Sequence, residues 1–395
     1  MIPQQDQTKL RYYKCSYHGI NSKCTTTGLC RPVAETETGE MRLLPPEGFQ
    51  KLVNTVGSRC TRCGACCTVC PFKVLECRDG PQLSSECRDC GQCLQVCPAY
   101  QVDMSELEKT VFGHMRAAED TFGIHLSTSI GQAHNVKIKE VCQDGGAVTA
   151  LLVNGFNINR LDGAVVSSVQ PSAPWLPRPL LARSVNEVVE AAGSRYCYSA
   201  GLTVLSKSLE QGLSQLAFVG LPCQVLALRK MQKAGFKRIV GNIKLIIGLF
   251  CSESFTYEGL IQRKICKEMG IDLNDISKMN IKRIFQIRLR NGQTREIPLK
   301  EIRQYAEPFC RFCSDFSSEL ADISLGGVGL ENDTFIIPRT EVGKTFLEEA
   351  VKSGAIDLAH PPREKEALGT LIRLSKNKHD KGLKEDFKSE ARSFP

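Results

Sequence analysis

The sequence predicts an α/β protein with a largely parallel or mixed sheet, preceded by a short segment crowded with cysteines. From about residue 122 to 340, short apolar runs alternate with stretches whose apolar residues recur at helical spacing, which is typical of α/β domains. Ten of the 20 cysteines fall between residues 60 and 97. A chain of 395 residues has room for two or three domains with cores of their own.

Composition and charge exclude several classes of protein. The polar start of the chain lacks a signal-peptide pattern, and no apolar run approaches the ~18 residues of a membrane span. We therefore expect a reduced, cytoplasmic protein without a membrane span, whose thiols bind metal. The formal charge of +8 would suggest nucleic acid as a partner, but it counts cysteine as neutral. An iron–sulfur cluster with its four thiolates carries about 2−, so we do not expect nucleic-acid binding.

Residues 1–55 are predicted to form an N-terminal extension that ends near a Pro-Pro pair. Within it, Cys15, His18, Cys24 and Cys30 are four nitrogen or sulfur ligands that could bind zinc tetrahedrally. Their two five-residue gaps are not standard zinc-finger spacing. The alternative is an ordered extension that covers the next segment without a metal.

Residues 56–105 contain an internal repeat of cysteines with C-x2-C-x2-C-x3-C-P spacing. The first half has Cys60, Cys63, Cys66 and Cys70; the second has Cys87, Cys90, Cys93 and Cys97. This spacing is typical of two-cluster ferredoxins, in which the fourth cysteine of each half binds the other half's cluster. We thus predict a ferredoxin-like domain with two [4Fe–4S] clusters, held by Cys60/63/66/97 and by Cys87/90/93/70. Cys67 and Cys77 lie outside the spacing and are interpreted as packing residues.

Residues 106–340 are predicted to form the α/β domain. The strand candidates are residues 163–169, 216–220, 244–250 and 322–329, and the helix candidates are residues 145–156, 204–213, 223–235 and 257–270. Asn291-Gly292 between two alternating stretches predicts a hairpin. Cys266 lies in a helical pattern and is interpreted as a core residue. Residues 341–395, rich in lysine toward the end, are predicted to be a solvated helical tail.

Four further cysteines lie at the ends of predicted elements. Cys223 begins a helix, Cys251 follows a strand, and Cys310 and Cys313 form a C-x2-C pair. Because ligands gather at the carboxyl ends of strands in α/β sheets, these thiols could meet and bind a third cluster. Cys223 could instead be a nucleophile whose pKa is lowered by the helix N-terminus, or all four could be core thiols.

Four stretches together resemble the coenzyme F420 hydrogenase/dehydrogenase β-subunit family: "CQDGGAVTALL", "FVGLPCQVLALRKM", "IIGLFCSESF" and "CRFCSDFSSELADISLGGVG". The resemblance covers residues ~122–340. With a ferredoxin-like segment in front, the layout is most similar to the electron-input subunit of archaeal F420H2 dehydrogenase complexes. The fold that this resemblance implies is a mixed-sheet (α+β) FAD domain.

In this family the matching cysteines bind a [4Fe–4S] cluster beside FAD, so the resemblance implies that Cys223, Cys251, Cys310 and Cys313 do so here. The FAD contacts that it implies are Gln143, Asp144, Gly145, Gly146, Thr149, Ser194, Arg195, Glu253, Ser254, Phe255, Gly326 and Gly327. Glycines at a helix entry suit a diphosphate, although a plain turn is the simpler interpretation of Gly145-Gly146. At Arg195 relatives usually carry a lysine.

The resemblance implies that hydride passes between coenzyme F420 and FAD, and that single electrons then pass through three clusters to other redox subunits. No protein side chain is expected to act as a catalytic acid or base. The anionic F420 should bind near basic residues, for which Lys282, Arg283, Arg288, Arg290 and Arg295 are candidates. The expected direction is F420H2 oxidation, with possible peripheral docking to a membrane complex through a partner. The alternatives are a reductase of the same family for another substrate, or an electron-transfer adaptor without hydride chemistry.

Overall fold

The computed structural model describes the backbone of residues 22–24, 30–35, 41–43, 48–359 and 362–391, and side chains within 48–359 and 364–385. Its strands are β1 (Ser22–Cys24), β2 (Cys30–Glu35), β3 (Met41–Leu43), β4 (Leu75–Cys77), β5 (Pro81–Leu83), β6 (Ser129–Ala133), β7 (Gly163–Gln170), β8 (Ala173–Ala182), β9 (Leu216–Gly220), β10 (Ile243–Leu249), β11 (Ile276–Ile281), β12 (Phe285–Leu289), β13 (Thr294–Ile297), β14 (Ile323–Gly326), β15 (Thr334–Pro338) and β16 (Ile356–Leu358).

Its α-helices are α1 (Phe49–Val56), α2 (Ala65–Val69), α3 (Gln92–Val96), α4 (Met104–Phe112), α5 (Val136–Val141), α6 (Ala147–Asn157), α7 (Val185–Glu190), α8 (Leu205–Glu210), α9 (Pro222–Lys233), α10 (Lys237–Val240), α11 (Leu299–Ile302), α12 (Glu341–Lys352) and α13 (Pro362–Ala391). Tyr257–Glu268 forms a wider, π-type helix, and 3₁₀ turns occupy Gly57–Arg59, Gly201–Val204, Leu273–Asp275, Arg303–Tyr305 and Pro308–Phe312. In the part of the chain described, no helix is long and apolar enough to cross a bilayer.

The central sheet has eight strands in the order β16-β6-β15-β14-β10-β9-β7-β8. Strands β7, β9, β10 and β14 pair in parallel, and antiparallel strands extend the sheet on both sides. The predicted α/β class with a mixed sheet is therefore confirmed. The four predicted strands became β7, β9, β10 and β14, because their apolar runs are buried in the sheet interior.

Alternate residues of the parallel strands bury against helices on opposite faces of the sheet, as the two-residue repeat of a strand requires. Ala164 and Leu245 pack in the core that contains α6 and α12. Val165 and Phe218 pack in the core that contains α9 and also α2 of the cysteine-rich segment. The cysteine-rich segment and the α/β domain therefore share one hydrophobic core.

The predicted segment boundaries at 55/56 and 105/106 fall inside α1 and α4, respectively. At the predicted boundary of 340/341 the central unit continues, because α12 packs against α6 and β16 pairs with β6. These contacts extend the α/β unit to Leu358. The predicted C-terminal segment of residues 341–395 thus contains α12 and β16 as well as α13, and the division into domains stays a prediction.

A separate antiparallel sheet, β11-β12-β13, packs against the π-type helix. The predicted hairpin at Asn291-Gly292 connects β12 and β13, and the φ of +85° at Gly292 explains why glycine is suited to that turn. The predicted burial of Cys266 is wrong. Its helix buries Leu260, Ile261 and Ile265, and Cys266 follows this stripe on the exposed side.

The predicted N-terminal zinc ligands are described only in part. β1 and β2 pair in antiparallel orientation, with Cys24 opposite Cys30 in the register. Cys15 and His18 lie outside the described residues. The zinc site stays a prediction.

Candidate functional site

The two halves of the cysteine repeat have the same local fold. In each half the helix that carries the third cysteine follows a glycine with positive φ: Gly64 (φ 88°) precedes α2, and Gly91 (φ 72°) precedes α3. Glycine adopts this conformation without strain. At Gly64 a Cβ would also lie 2.4 Å from a methyl carbon of Thr203. Glycine is thus required at this turn by both conformation and packing.

A first group of thiols contains the first three cysteines of one half and the last cysteine of the other half. Burial raises the pKa of Cys66 well above its usual value, and repulsion from Cys63, Cys97 and Cys60 raises it further. Burial also raises the pKa of Cys97 to about 12, with further contributions from Cys63 and Cys60. Cys60, Cys63, Cys66 and Cys97 also line the same cavity, so the structure places these four thiols in one group.

A second group combines Cys70 with the thiols of the second half. Burial raises the pKa of Cys90, and repulsion from Cys70 and Cys87 adds to the effect. The pKa of Cys93 rises to about 12, through burial and then repulsion from Cys90 and Cys87. The Asp89 amide nitrogen donates to Cys87 Sγ at 3.4 Å. Cluster binding by these two groups stays a prediction that their proximity supports.

A third group forms where three elements of the α/β unit converge. Cys223 lies in the first turn of α9, Cys251 follows β10, and Cys310 and Cys313 lie in and after the turn Pro308–Phe312. Burial raises the pKa of Cys251. The charge of Lys378 lowers it, and repulsion from Cys310 and Cys313 raises it further. The Ser254 amide nitrogen donates to Cys310 Sγ at 3.3 Å, the kind of contact that stabilises a thiolate.

The environment of Cys223 is opposite to that of an activated nucleophile. Burial raises its pKa well above the usual value, and repulsion from Cys313 and Cys251 adds to the shift. A nucleophilic cysteine needs a lowered pKa. The raised pKa argues against the nucleophile interpretation and is compatible with both a cluster ligand and a core thiol, so cluster binding by Cys223 stays a prediction.

Tyr198 lies between the third group and the first. Its hydroxyl is 3.7 Å from Cys223 Sγ. Burial raises its pKa well above the usual value, and Cys223 and Cys63 contribute to the shift. The ion pair between Arg62 and the buried Glu307 also joins the two segments. The first and third groups are therefore neighbours across a packed interface.

Two lysines that sequence analysis missed, the buried Lys230 and the half-buried Lys378, contact these groups. Lys230, on α9, donates to the carbonyl oxygen of Cys97 at 2.7 Å and to that of Tyr100. Lys378, on α13, donates to the carbonyl oxygens of Ser252 and Cys310. Burial lowers the pKa of Lys378, but Cys313, Cys251 and Cys310 raise it more, so the net shift is upward.

The close approach of α13 explains why Lys378 is not part of a solvated tail. A Cβ at Gly382 would lie 3.0 Å from the backbone of Cys313 and Ser314. The helix also buries Ala367 and Leu371 against Phe122 and Phe335 of the α/β unit. Gly382, one helical turn beyond Lys378, was the sequence feature that could have indicated this close packing. It can be interpreted only when the backbone that it packs against is known.

Cys67 and Cys77 form a disulfide, with a Cα–Cα distance of 6.3 Å. The interpretation of both as packing thiols in a fully reduced protein is therefore corrected. β4 ends at Cys77 and α2 carries Cys67, so the hairpin β4-β5 brings the two residues together. Cys67 Sγ lies 3.9 Å from Cys66 Sγ, so the disulfide touches the first thiol group.

A basic cavity of about 470 Å³ lies between the loops around Gln143 and Arg195 and the sheet β11-β12-β13. Of the predicted FAD contacts, it is lined by Gln143, Ser194 and Arg195. Of the predicted F420 contacts, it is lined by Arg288 and Arg290, and the lining also includes Lys278 and Trp175. Cationic groups around an open cavity with one aromatic wall suit an anionic, ring-containing ligand.

The Arg195 side chain is fixed by its own loop. It donates to the carbonyl oxygens of Ala192 at 3.1 Å and Gly193 at 2.9 Å. Its Nε is buried without a hydrogen-bond partner among the described residues, and burial lowers the pKa of the guanidinium. An anion bound in the cavity could accept from this donor.

The glycine loops next to the cavity pack tightly against one another. A Cβ at Gly145 would lie 2.7 Å from the Thr334 amide nitrogen, and one at Gly327 would lie 2.4 Å from Asp144. Gly146 has a φ of +76° and directly precedes α6. Packing and conformation thus require small residues here, whether or not a cofactor approaches them.

The other predicted FAD contacts lie outside the lining of the basic cavity. They are Asp144, Gly145, Gly146, Thr149, Glu253, Ser254, Phe255, Gly326 and Gly327. Phe255 is 1% exposed in the core of the β11-β12-β13 sheet, and its amide donates to the Tyr196 carbonyl at 2.8 Å. Ser254 contacts the third thiol group instead. Flavin contact by these residues stays a prediction.

Two family models match the chain. The first, described as coenzyme F420 hydrogenase/dehydrogenase, beta subunit N-term, matches residues 129–206. The second describes the C-terminal part of the same coenzyme F420 hydrogenase/dehydrogenase beta subunit and matches residues 213–364. Together they cover the α/β unit from β6 through the start of α13.

Individual relatives extend the likeness to most of the chain. The coenzyme F420 hydrogenase subunit beta of Methanothermobacter thermautotrophicus is 34% identical over 253 residues, which cover 63% of this chain and 89% of that protein. One subunit of the F(420)H(2) dehydrogenase of Methanosarcina mazei is 29% identical over 363 residues, which cover 89% of this chain and 97% of that protein. A chain in the xenon-derivatised F420-reducing [NiFe] hydrogenase complex from Methanosarcina barkeri superimposes with a TM-score of 0.67 at 29% identity, covering 71% of this chain and 97% of that chain.

Proposed function

Since the chain belongs to the coenzyme F420 hydrogenase/dehydrogenase β-subunit family, we propose that it passes electrons between coenzyme F420 and a redox partner. The proposed route uses FAD and three [4Fe–4S] clusters, and its proposed direction is F420H2 oxidation. The observation that carries the proposal is that Cys60, Cys63, Cys66 and Cys97 line one cavity, while Tyr198, whose hydroxyl is 3.7 Å from Cys223 Sγ, connects this group to the third.

The thiol groups fit clusters by number, charge and surroundings. A [4Fe–4S] cluster takes four thiolates. The twelve thiols are free, and those with resolved shifts have raised pKa values, so a positive iron core would offset the cost of ionising them. Amide donors to Cys87 and Cys310 supply hydrogen bonds that tune such sites.

The basic cavity fits the flavin or the deazaflavin, because it combines an aromatic wall with Arg195, Lys278, Arg288 and Arg290. FAD, when bound, would supply the exchange of a hydride with F420 and of single electrons with the clusters. Arg195 would donate from Nε to an anionic part of the ligand, while its remaining donors hold the loop Ala192–Ser194. In this proposal the side chains would bind and orient the ring-containing ligand rather than act as acid or base.

Electrons would leave the chain at the second group. Arg88 lies over the Phe72 ring at 4.7 Å beside this group, and the neighbouring residues 82–86 are exposed. A partner that docks on this surface could approach the Cys70/87/90/93 site. We propose that the partner is another redox subunit of a larger complex, because the relatives are named as subunits and the similar solved chain belongs to a complex.

The test is anaerobic oxidation of F420H2 by the purified holoprotein, with NADH as the control donor. We expect the deazaflavin band near ~420 nm to recover while flavin and cluster absorbance bleach. Cys223→Ser should stop bleaching of the two ferredoxin-like clusters, whereas Cys266→Ser, at an exposed thiol outside the groups, should behave as wild type. If dithionite bleaches the clusters but F420H2 stays reduced, the F420 assignment is refuted.

A further inference from the structure

The Cys67–Cys77 disulfide lies against the first thiol group but belongs to none of the three groups. Among the cysteines whose side chains the structure describes, the others are free thiols, so this pair is chemically distinct. The Sγ atoms of Cys66, Cys67 and Cys77 all lie within 4.8 Å of one another. One end of the disulfide is therefore in contact with a proposed cluster ligand.

The disulfide lies close to solvent on the side of Cys77. Cys77 ends β4 and is followed by the exposed residues Arg78 and Asp79. It also lines a cavity of about 510 Å³ that the first thiol group shares with apolar residues such as Leu52 and Phe309. Cys67, in contrast, lies within α2 and faces Cys66. Both cysteines are half-buried, both sulfurs lie within 4.8 Å of Cys66 Sγ, and the chain becomes exposed directly after Cys77.

We propose that Cys67–Cys77 is a redox-active dithiol–disulfide centre that takes electrons from the Cys60/63/66/97 site and passes them to an external disulfide. The electron source rests on the proposed function. Iron–sulfur clusters with thiolate ligands reach potentials low enough to reduce protein disulfides. The cluster delivers one electron at a time and the disulfide needs two. The disulfide would therefore be reduced in two steps, and the cluster would be reduced again between them.

The chemistry balances. The sulfur–sulfur bond accepts two electrons and two protons and breaks into the thiols of Cys67 and Cys77. Cys77, as thiolate, then attacks an external disulfide, forming a mixed disulfide and releasing one substrate thiolate. Attack by Cys67 releases the second substrate thiol and re-forms the Cys67–Cys77 bond. The net reaction is reduction of one external disulfide to two thiols by the two electrons.

The first experiment measures thiol labelling in the intact anaerobic holoprotein. Samples that are oxidised, treated with F420H2, or treated with stoichiometric dithionite are quenched with an alkylating reagent and analysed by peptide mass spectrometry. Labelling of Cys67 and Cys77 should rise at least about tenfold after reduction, whereas the exposed Cys266 should label equally in all samples. Unfolded, iron-free protein given the same dithionite should keep the pair oxidised, which excludes direct reduction.

Cluster reduction is followed in the same samples by electron paramagnetic resonance. If the clusters are reduced and the pair stays unlabelled, or if the pair is already labelled in the oxidised protein, the proposal is overturned. If F420H2 fails to reduce the clusters while dithionite reduces both the clusters and the pair, the proposed function fails and this inference stands.

The second experiment measures turnover with an aromatic disulfide, dithiobis(nitrobenzoate), using F420H2 or reduced viologen as donor. Cys67→Ser and Cys77→Ser should each lose at least about tenfold in disulfide reduction while F420H2-dependent viologen reduction stays within about twofold. Cys266→Ser is the matched control. Unchanged disulfide reduction in both variants would overturn transfer through the pair.

Discussion

The positive charge of Lys378 should raise the reduction potential of the proposed third cluster. Its ammonium group contacts the carbonyl oxygens of Ser252 and Cys310, and its charge interacts with three of the four thiols of that group. A cation next to a cluster stabilises the added electron. Lys378→Met should therefore lower the potential, whereas Lys378→Arg, which keeps the charge, should change it little.

The size of the effect follows from Coulomb's law. For unit charges about 8 Å apart and an effective dielectric constant of about 20, the interaction is about 2 kcal/mol. For a one-electron couple, 1.4 kcal/mol corresponds to about 59 mV, so the full effect is about 90 mV. The side chain is partly exposed, and solvent screening reduces the effect. We expect a shift of about 40–90 mV toward more negative potential.

The assay is a redox titration followed by electron paramagnetic resonance, with the three cluster signals resolved. Lys376→Met, at an exposed position on the same helix, controls for loss of surface charge. The reasoning is refuted if Lys378→Met shifts the third signal by less than about 10 mV, or if Lys378→Arg shifts it by as much as Lys378→Met.

Three further predictions concern the cavity, the interface and pH. Arg195→Ala should weaken FAD binding about 10–100-fold in a flavin fluorescence titration, because a hydrogen-bond donor to an anion contributes about 1.5–3 kcal/mol. Arg183→Ala, at an exposed position, should leave FAD binding unchanged. An equal loss of affinity in both variants would contradict the placement of FAD in the basic cavity. Lys230→Met should destabilise the protein by about 2–4 kcal/mol in denaturant unfolding, because the carbonyl oxygens of Cys97 and Tyr100 lose their hydrogen-bond donor. Lys233→Met, at an exposed position, is the control. Equal unfolding midpoints in the two variants would contradict a stabilising role of Lys230. Burial raises the pKa of Asp144 above its usual 3.8, so the folded state binds the carboxyl proton more tightly than the unfolded state does. The free energy of unfolding therefore falls as pH rises through the folded pKa and the buried carboxylate becomes charged. Asp144→Asn should therefore be more stable than wild type at about pH 8, with the difference vanishing near about pH 3; a difference that does not depend on pH would show that another effect dominates.

Residue pattern alone was sufficient for the features that depend on local spacing. The C-x2-C repeats, the apolar runs of β7, β9 and β10, and the turn at Asn291-Gly292 each have their cause within a few neighbouring residues. The resemblance of four short motifs then identified the family, as the family models confirm. The apolar runs correspond to the parallel strands, whereas the antiparallel strands β6, β8, β15 and β16, which make the sheet mixed, were not among the predicted strands.

The features that sequence analysis missed depend on long-range packing. Lys378 belongs to a lysine-rich stretch in which exposed and half-buried lysines have the same local sequence. Only the approach of α13 at Gly382 distinguishes Lys378 from its exposed neighbours. Cys67 and Cys77 are ten residues apart, and their pairing depends on the β4-β5 hairpin. Neither contact has a periodicity that the sequence could display.

The packing between the cysteine-rich segment and the α/β unit bears directly on electron transfer. A ferredoxin-like segment on a flexible tether would present its clusters at varying distances, but here α2 shares a core with α9. Lys230 reaches from α9 to the carbonyl oxygen of Cys97, and Arg62 pairs with Glu307 three residues before Cys310. These contacts join the ligand-bearing backbone of the first and third groups. The fold therefore fixes the separation between the first and third thiol groups, and if both bind clusters as proposed, electron transfer between them would need no domain movement.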